Sequence, residues 1–202
     1  MTESRKNQTS TSGSVLSATW VGVIVFWMLS GISAAAQPAT VEGVAFSREV
    51  RAGDSMLALR GYGLLRYMVF IKAYVAAFYL PESIRSEDAL GDVPKHLEIE
   101  YFHPITAQDF AKATSSSISR NVSLMTLRRL QPKIDEFNTL YRDVKPGDRY
   151  ALTYVPGKGT TLSWNGQPLG TVAGEDFAVG LFGIWIGANP LDSDLKRLLL
   201  GE

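Results

Sequence analysis

The chain has 202 residues, of which 20 are basic and 20 acidic, so its formal net charge at pH 7 is +0. This balance argues against the broad basic surface that is expected of a nucleic-acid-binding protein. No cysteine is present, which excludes a disulfide-stapled secreted module and a thiol nucleophile. The fold must therefore be stabilised by its hydrophobic core.

The N-terminal segment has the organisation of a secretory signal peptide. Basic Arg5 and Lys6 precede an apolar stretch at residues 15–32, and small residues follow up to Ala36. This order predicts a signal peptide over residues 1–36, cleaved after Ala36, and a periplasmic or secreted product without a stable membrane span. The alternative is a retained anchor, because the stretch approaches the ~20 residues that cross a bilayer. Cleavage leaves one domain, residues 37–202.

The first half of that domain has strand-like patterns. Residues 37–53 alternate in hydropathy, residues 54–60 (DSMLALR) predict a short strand, and the Gly-Tyr-Gly at 61–63 predicts a turn or a bulge. Residues 64–80 form a long β-type stretch that is apolar on both alternating faces and closed by Pro81. A strand that is apolar on both faces is covered on both faces. We therefore expect a central strand or strand pair between two layers.

A strand and a helical region come next. The pattern KHLEIEYF at residues 95–102 predicts a strand. Thr106 and Asp109 have the spacing of a capping box, which opens a helical pattern that continues to Leu140. Pro132 lies inside that pattern and predicts a kink or a break there.

The C-terminal third combines a hairpin with two helices. Residues 149–157 and 160–174 predict strands, and the Asn-Gly at 165–166 is the strongest hairpin signal in the chain. Residues 175–186 predict an apolar helix, and residues 191–201 predict a short amphipathic helix. Strands, helices, a hairpin and further helices in this order indicate an α+β fold with helices on a mainly antiparallel sheet.

The usual catalytic motifs are missing from the sequence. His96 and His103 have no acidic partner at metal-ligand spacing, and no Gly-x-Ser-x-Gly motif or complete dinucleotide fingerprint occurs. We therefore expect no metal, no cofactor and no nucleic-acid partner. Trp164 and Trp185 are assigned to the core, because buried aromatic residues usually serve packing.

Two stretches together resemble a known family. Residues 61–81 (GYGLLRYMVFIKAYVAAFYLP) and 174–201 (GEDFAVGLFGIWIGANPLDSDLKRLLLG) are similar to the chalcone isomerase family, in particular its bacterial, signal-peptide-bearing, isomerase-like branch. The resemblance extends over residues 41–201. It implies an open-faced β-sandwich, in which helices are layered against a large antiparallel sheet with a ligand cleft between them.

The resemblance also implies site residues. The family contains catalytic isomerases and non-catalytic fatty-acid binders, and Arg66 corresponds to an arginine that both kinds share. Tyr74 stands where the fatty-acid binders have tyrosine, Asn121 corresponds to the family asparagine, and Thr114 is the nearest counterpart of an isomerase tyrosine. A guanidinium keeps its proton and suits bidentate binding of a carboxylate. The expected function is therefore non-catalytic binding of a fatty acid or a similar hydrophobic carboxylate.

The sequence leaves open which arginine anchors the carboxylate. Arg66 could instead pair with an acidic residue such as Glu42 or Asp54. A straight strand would separate Arg66 from Tyr74 by about 26 Å. The chain must therefore bend without a conventional turn residue, or Arg60 is the true anchor.

Two other functions compete with ligand binding. One is an isomerase or intramolecular lyase that acts on an enone-like substrate, and the other is a ligand-free interaction module of the envelope. The sequence leaves the identity of the ligand and the oligomeric state open.

Overall fold

The computed structural model describes residues 37–67 and 70–202. The signal peptide predicted for residues 1–36 lies outside the described residues, so its cleavage stays a prediction. Among the helices of the described part, none has the combination of length and hydrophobicity that crossing a bilayer requires.

In the part of the chain that the structure describes, nine strands form two antiparallel sheets. The strands are β1 (Ala39–Val41), β2 (Val44–Phe46), β3 (Glu49–Ala52), β4 (Ser55–Tyr67), β5 (Ile71–Leu80), β6 (Lys95–Tyr101), β7 (Arg149–Val155), β8 (Gly159–Trp164) and β9 (Gln167–Val172). The first two pair with each other, and the other seven form one sheet in sequential order from β3 to β9. Between β8 and β9, Asn165 and Gly166 have φ values of 49° and 80°, so the predicted Asn-Gly hairpin is confirmed.

The helices within residues 37–67 and 70–202 are α1 (Ala107–Asn121), α2 (Leu124–Asn138), α3 (Glu175–Ile186) and α4 (Ser193–Leu200), with a short 3₁₀ turn at Ser86–Asp88. The predicted cap of α1 is confirmed, because the Thr106 hydroxyl accepts a hydrogen bond from the backbone N–H of Asp109 at 3.1 Å. The α+β architecture, a large antiparallel sheet with a layer of helices, is the predicted one.

The helical region is interrupted at a different place from the one predicted. Helix α2 continues through Pro132, so of the kink or break predicted there the break does not occur. The interruption lies at Val122 and Ser123, where the Ser123 hydroxyl accepts from the backbone N–H of Thr126 at 3.2 Å. Pro132 is exposed, so water is available to the carbonyl of Arg128, which a proline at this position leaves without its helical donor.

The Gly-Tyr-Gly sequence is not a turn. Strand β4 runs through it with a register shift between Leu59 and Gly61, which confirms the predicted bulge and excludes the turn. A Cβ atom on Gly61 would collide with the backbone carbonyl of Leu198 in α4. Glycine is needed at this position because a helix approaches the strand closely.

Residues 74–80 of strand β5 are covered on both faces, as predicted, whereas Ile71, predicted in the same covered stretch, is 43% exposed. Tyr74, Ala76 and Phe78 belong to the core between sheet and helices. Val75 and Ala77 belong to a second core, which β1 and β2 close from the other side. The residue alternation of β5 therefore separates two hydrophobic layers.

Candidate ligand-binding cavity

A cavity of about 250 Å³ lies on the helix side of the sheet. Its walls come from β5, β6, α1, the segment after α2, α3 and the segment after α3. The lining residues are Tyr74, Tyr101, Ile105, Asp109, Phe110, Ala113, Thr114, Ser117, Tyr141, Ile184, Trp185 and Leu191. Three of them (Asp109, Ala113 and Leu191) are also exposed, so the cavity opens to solvent between α1 and the segment after α3.

The sequence of α1 explains why space remains here. The helix presents small side chains to the cavity at Ala113, Thr114 and Ser117. One turn earlier, the large ring of Phe110 stacks on Tyr141, with ring centroids 5.2 Å apart and an interplanar angle of 19°. Bulky contacts at one end of the helix and small residues beyond them leave a gap above the sheet.

Two tyrosines of the sheet line this gap. Tyr74 and Tyr101 are register partners on β5 and β6, so their side chains project to the same face. The indole N–H of Trp185 donates to the Tyr74 hydroxyl at 2.9 Å. Tyr74 therefore accepts from Trp185 and keeps its own proton for another acceptor. Tyr101 is 5% exposed and also lines the cavity, and its phenol carries a proton that can be donated.

A second hydroxyl pair lies on the opposite wall. Thr114 Oγ1 and Tyr141 Oη are 2.7 Å apart, and either can donate to the other. One hydroxyl proton is used between them, so the other remains available to an acceptor in the cavity. Together with Tyr74 and Tyr101, this pair supplies up to three hydrogen-bond donors.

Burial fixes the protonation state of these groups. It raises the pKa of Tyr74, Tyr101 and Tyr141 above the usual value of 10.0. At neutral pH the three phenols are therefore neutral donors rather than bases. The one ionisable carboxylate among the lining residues is Asp109, which is exposed and accepts a hydrogen bond from the Thr106 hydroxyl at 2.7 Å.

The comparisons with known proteins identify the family. A family model described as chalcone isomerase-like matches residues 38–201. The chain belongs to the chalcone isomerase-like family. Among solved structures, a fatty-acid-binding protein of Arabidopsis thaliana is similar with a TM-score of 0.65 at 15% identity, over 82% of this chain and 96% of that one. This likeness shows the fold. No curated protein matches the chain.

Two of the four residues suggested by the chalcone isomerase-like resemblance lie together at the cavity. Tyr74 and Thr114 both line it, on opposite walls. Asn121 does not belong to the lining. Its side-chain amide donates to the carbonyls of Ser117 and Asn189 and accepts from the N–H of Asn189, so it ties the end of α1 to the segment after α3.

Arg66 lies outside the cavity lining in this chalcone isomerase-like domain. Its Nη2 is 3.7 Å from a carboxylate oxygen of Glu42, and Lys72 Nζ is 2.5 Å from the other oxygen. The hydrogen bond from Lys72, together with the charges of Lys72 and Arg66, lowers the pKa of Glu42. The pairing with Glu42, held open as an alternative, is therefore present, and the ligand-binding role of Arg66 stays a prediction.

The geometric difficulty at Arg66 is resolved by a hairpin. β4 and β5 pair so that Leu65 faces Tyr74 and Arg66 faces Lys72. The chain thus reverses direction without Gly, Asn or Pro between Arg66 and Tyr74. The alternative anchor, Arg60, donates to the backbone carbonyl of Ile84 and is not among the lining residues.

Three of the lining residues that sequence reasoning did not assign to the site are Tyr101, Tyr141 and Trp185. Tyr101 is the last of the alternating buried positions of β6, which is a signal that could have identified it. Tyr141 follows Phe137 by four residues and continues the buried spacing of α2 beyond the end of the helix. Trp185, which was assigned to the core, does pack against the core and also lines the cavity.

Proposed function

We propose that this chain binds a hydrophobic carboxylic acid such as a fatty acid, without turning it over, in the cavity between the sheet and α1. The proposal is carried by one observation: an apolar, aromatic-walled cavity that is lined by several residues with neutral hydroxyl groups. Ligand sites of proteins are usually apolar clefts with a few polar groups that orient the ligand. The fold shared with a fatty-acid-binding protein supports the same interpretation.

The hydroxyl groups provide the anchor for the acid. Tyr74 and Tyr101 are neighbours on the sheet, with ring centroids 5.7 Å apart, and both have a proton to donate. Hydrogen bonds from hydroxyl groups to a carboxylate are short and stronger than those between neutral groups. Thr114 and Tyr141 supply a third donor from the opposite wall. The apolar tail of the acid then lies among the remaining aromatic and aliphatic residues.

The cavity volume limits the part of the ligand that can be enclosed. A cavity of about 150 Å³ in another protein is sufficient for benzene. By proportion, about 250 Å³ encloses on the order of ten heavy atoms. A longer acyl chain must leave through the opening beside Leu191, which is 45% exposed. Since two of these atoms are the carboxylate oxygens, we expect affinity to rise with chain length up to about eight carbons and to change little beyond.

The protonation states favour binding over isomerase chemistry. A base in the cavity would have to be a phenolate or Asp109, but burial keeps the phenols protonated, and Asp109 lies at the opening and already accepts a hydrogen bond from Thr106. The isomerase alternative predicts that added protein changes the absorbance of a chalcone over time. We expect no protein-dependent change.

Native mass spectrometry combined with calorimetric titration tests the proposal. Protein purified under mild conditions is expected to carry a small acid, and delipidated protein is expected to bind saturated acids from about six to about sixteen carbons with the chain-length dependence given above. A protein that carries no lipid and takes up none of these acids would refute ligand binding. Recovery of an envelope protein by such a ligand-free chain would favour the interaction-module alternative.

We also propose that the chain is exported. The order of basic, apolar and small residues before Gln37 supports this. N-terminal sequencing of the protein from its native source is expected to start at Gln37. An N-terminus that retains residues 15–32 would identify a membrane-anchored form instead.

A further inference from the structure

The β4–β5 hairpin ends in apolar side chains that face solvent. Phe70 is 87% exposed, Tyr67 62% and Ile71 43%. These three residues are called the apolar tip, and residues 68 and 69, which lie outside the described part of the chain, are not included in it. Exposed apolar residues that cluster in this way usually mark an interaction surface.

A pair of cations lies directly beneath the apolar tip. Tyr67 and Ile71 are register partners, and the next pair along the hairpin is Arg66 and Lys72. The side chains of Arg66 and Lys72 are 48% and 49% exposed, and both contact Glu42. With one acid against two bases, this layer has a net charge of +1.

We propose that the apolar tip inserts into the surface of a bilayer that contains anionic lipids. Neighbouring residues of a strand are about 3.4 Å apart, so the apolar layer and the cationic layer are stacked along the hairpin in the order in which a bilayer presents hydrocarbon and phosphate. Aromatic residues concentrate at membrane interfaces, and basic residues near an anionic surface add to binding. The long stems of Arg66 and Lys72 can lie along apolar material while their charges contact phosphate.

Charge also argues against a second copy of this chain as the occupant. Two tips that met end to end would bring two pairs of Arg66 and Lys72 together, and each pair retains a net positive charge after Glu42 is counted. Like charges in close contact oppose association. An anionic lipid surface matches both layers of the hairpin.

The apolar tip is close to the cavity along the sheet. Tyr74, on the cavity wall, follows Ile71 by three residues, which corresponds to about 10 Å along β5. A hairpin inserted at the headgroup level would therefore hold the cavity near the membrane surface. This part of the inference rests on the proposed function, since the inserted hairpin would give a hydrophobic acid a short path between the bilayer and the cavity.

Site-specific labelling of the full chain tests membrane insertion, because the sequence has no cysteine of its own. An environment-sensitive fluorophore is attached to a Phe70→Cys variant and, as the matched control, to a Met56→Cys variant. Met56 is 48% exposed and lies near the other end of β4, about 35 Å along the strand from the apolar tip. Both proteins are mixed with vesicles of equal parts phosphatidylcholine and phosphatidylglycerol, with and without brominated acyl chains.

At position 70 we expect a blue shift and quenching by the brominated chains, and at position 56 neither change. Vesicles of phosphatidylcholine alone, or the added changes Arg66→Gln and Lys72→Gln, are expected to reduce the quenched fraction at position 70 severalfold. This readout is local, so it is independent of how residues 1–36 behave.

Three outcomes would overturn the inference. One is a label at position 70 that is quenched no more than the label at position 56. Another is quenching that responds neither to phosphatidylglycerol nor to the two glutamine changes. The third is a blue shift without vesicles that grows with protein concentration, which would identify a second copy as the occupant. Titration of the same labelled proteins with a fatty acid in the absence of vesicles tests the proposed function separately.

Discussion

The indole N–H of Trp185 donates to the Tyr74 hydroxyl at 2.9 Å, across the junction of α3 and β5. This contact orients Tyr74, because a phenol that accepts from a fixed donor has its remaining proton directed elsewhere. On a cavity wall that is otherwise largely apolar, that proton becomes a hydrogen-bond donor for a ligand.

Removal of the Tyr74 hydroxyl is expected to weaken ligand binding. Tyr74→Phe keeps the ring but removes the donor and leaves the indole N–H of Trp185 without its acceptor. We expect about a tenfold loss of fatty-acid affinity, which corresponds to about 1.4 kcal/mol. Isothermal titration of delipidated wild type and variant with the same acid measures the difference.

Tyr79→Phe is the matched control. Tyr79 lies on the same strand but belongs to the second core, on the opposite face of the sheet, and its buried hydroxyl has no hydrogen-bond partner among the described residues. Removal of an unsatisfied hydroxyl is expected to raise the free energy of unfolding by about 1 kcal/mol and to leave affinity unchanged. Equal affinities for wild type and Tyr74→Phe would contradict the anchoring role of Tyr74.

Arg66→Gln decides between two accounts of the anchor. The side chain pairs with Glu42 and is half-exposed, so we expect the variant to bind a fatty acid in solution within about twofold of the wild-type affinity. An ion pair at this exposure contributes little, and stability should change by less than about 1 kcal/mol. A loss of affinity as large as that expected for Tyr74→Phe would show instead that the guanidinium reaches the ligand, as the family resemblance implies.

Acid is expected to destabilise the protein through His96. Burial lowers the pKa of His96 from 6.5 to about 4, so between these values the unfolded chain binds a proton that the folded chain does not. Stability is therefore lost as the pH falls from about 6.5 towards about 4. We expect His96 to account for about 2 kcal/mol between pH 7 and about 4.5.

Urea unfolding of wild type and His96→Gln at both pH values measures this contribution, because the other titrating groups act equally in the two proteins. The variant should show a smaller loss of stability on acidification. Parallel losses in the two proteins would mean that His96 titrates normally in the fold.

Lys95 is expected to make the protein more stable in mild alkali. Its side chain is 1% exposed, donates to the carbonyl of Gly91 at 2.6 Å and lies 4.8 Å from the ring centroid of Tyr154. Burial lowers the pKa of Lys95 from 10.5 to about 8. Between these values the unfolded chain binds the extra proton, so stability rises as the pH is increased from about 8.

The comparison protein for this effect is Lys95→Met, which fills similar space without a charge. We expect wild type to gain about 2 kcal/mol relative to the variant between pH 7.5 and about 9.5, a range that ends below the ordinary tyrosine pKa of about 10. Chemical denaturation at the two pH values provides the measurement. The idea fails if the difference in stability between the two proteins is the same at both.

Several elements could be predicted because their signals are local. The cap at Thr106 and the Asn-Gly hairpin depend on a few neighbouring residues whose backbone preferences act wherever the segment lies in the fold. Predicting that β5 has a hydrophobic residue pattern on both faces required only a count of the apolar residues at alternating positions. The role of Gly61 was ambiguous in the sequence because glycine is common both in bulges and in turns. Only the tertiary structure, in which α4 approaches the strand closely at Gly61, shows why glycine is needed there.

The sequence alone thus determined the class of the fold, the two-sided burial of β5 and the presence of Tyr74 and Thr114 in positions that the family resemblance singles out. Only the tertiary structure decided that Tyr101, Tyr141 and Trp185 join them, while Arg66 pairs with Glu42. The physical reason is that hydropathy and capping act between near neighbours in the chain. A cavity depends on which side chains from distant segments fail to fill the space between them, and a charge is placed by whichever partner the fold brings within reach.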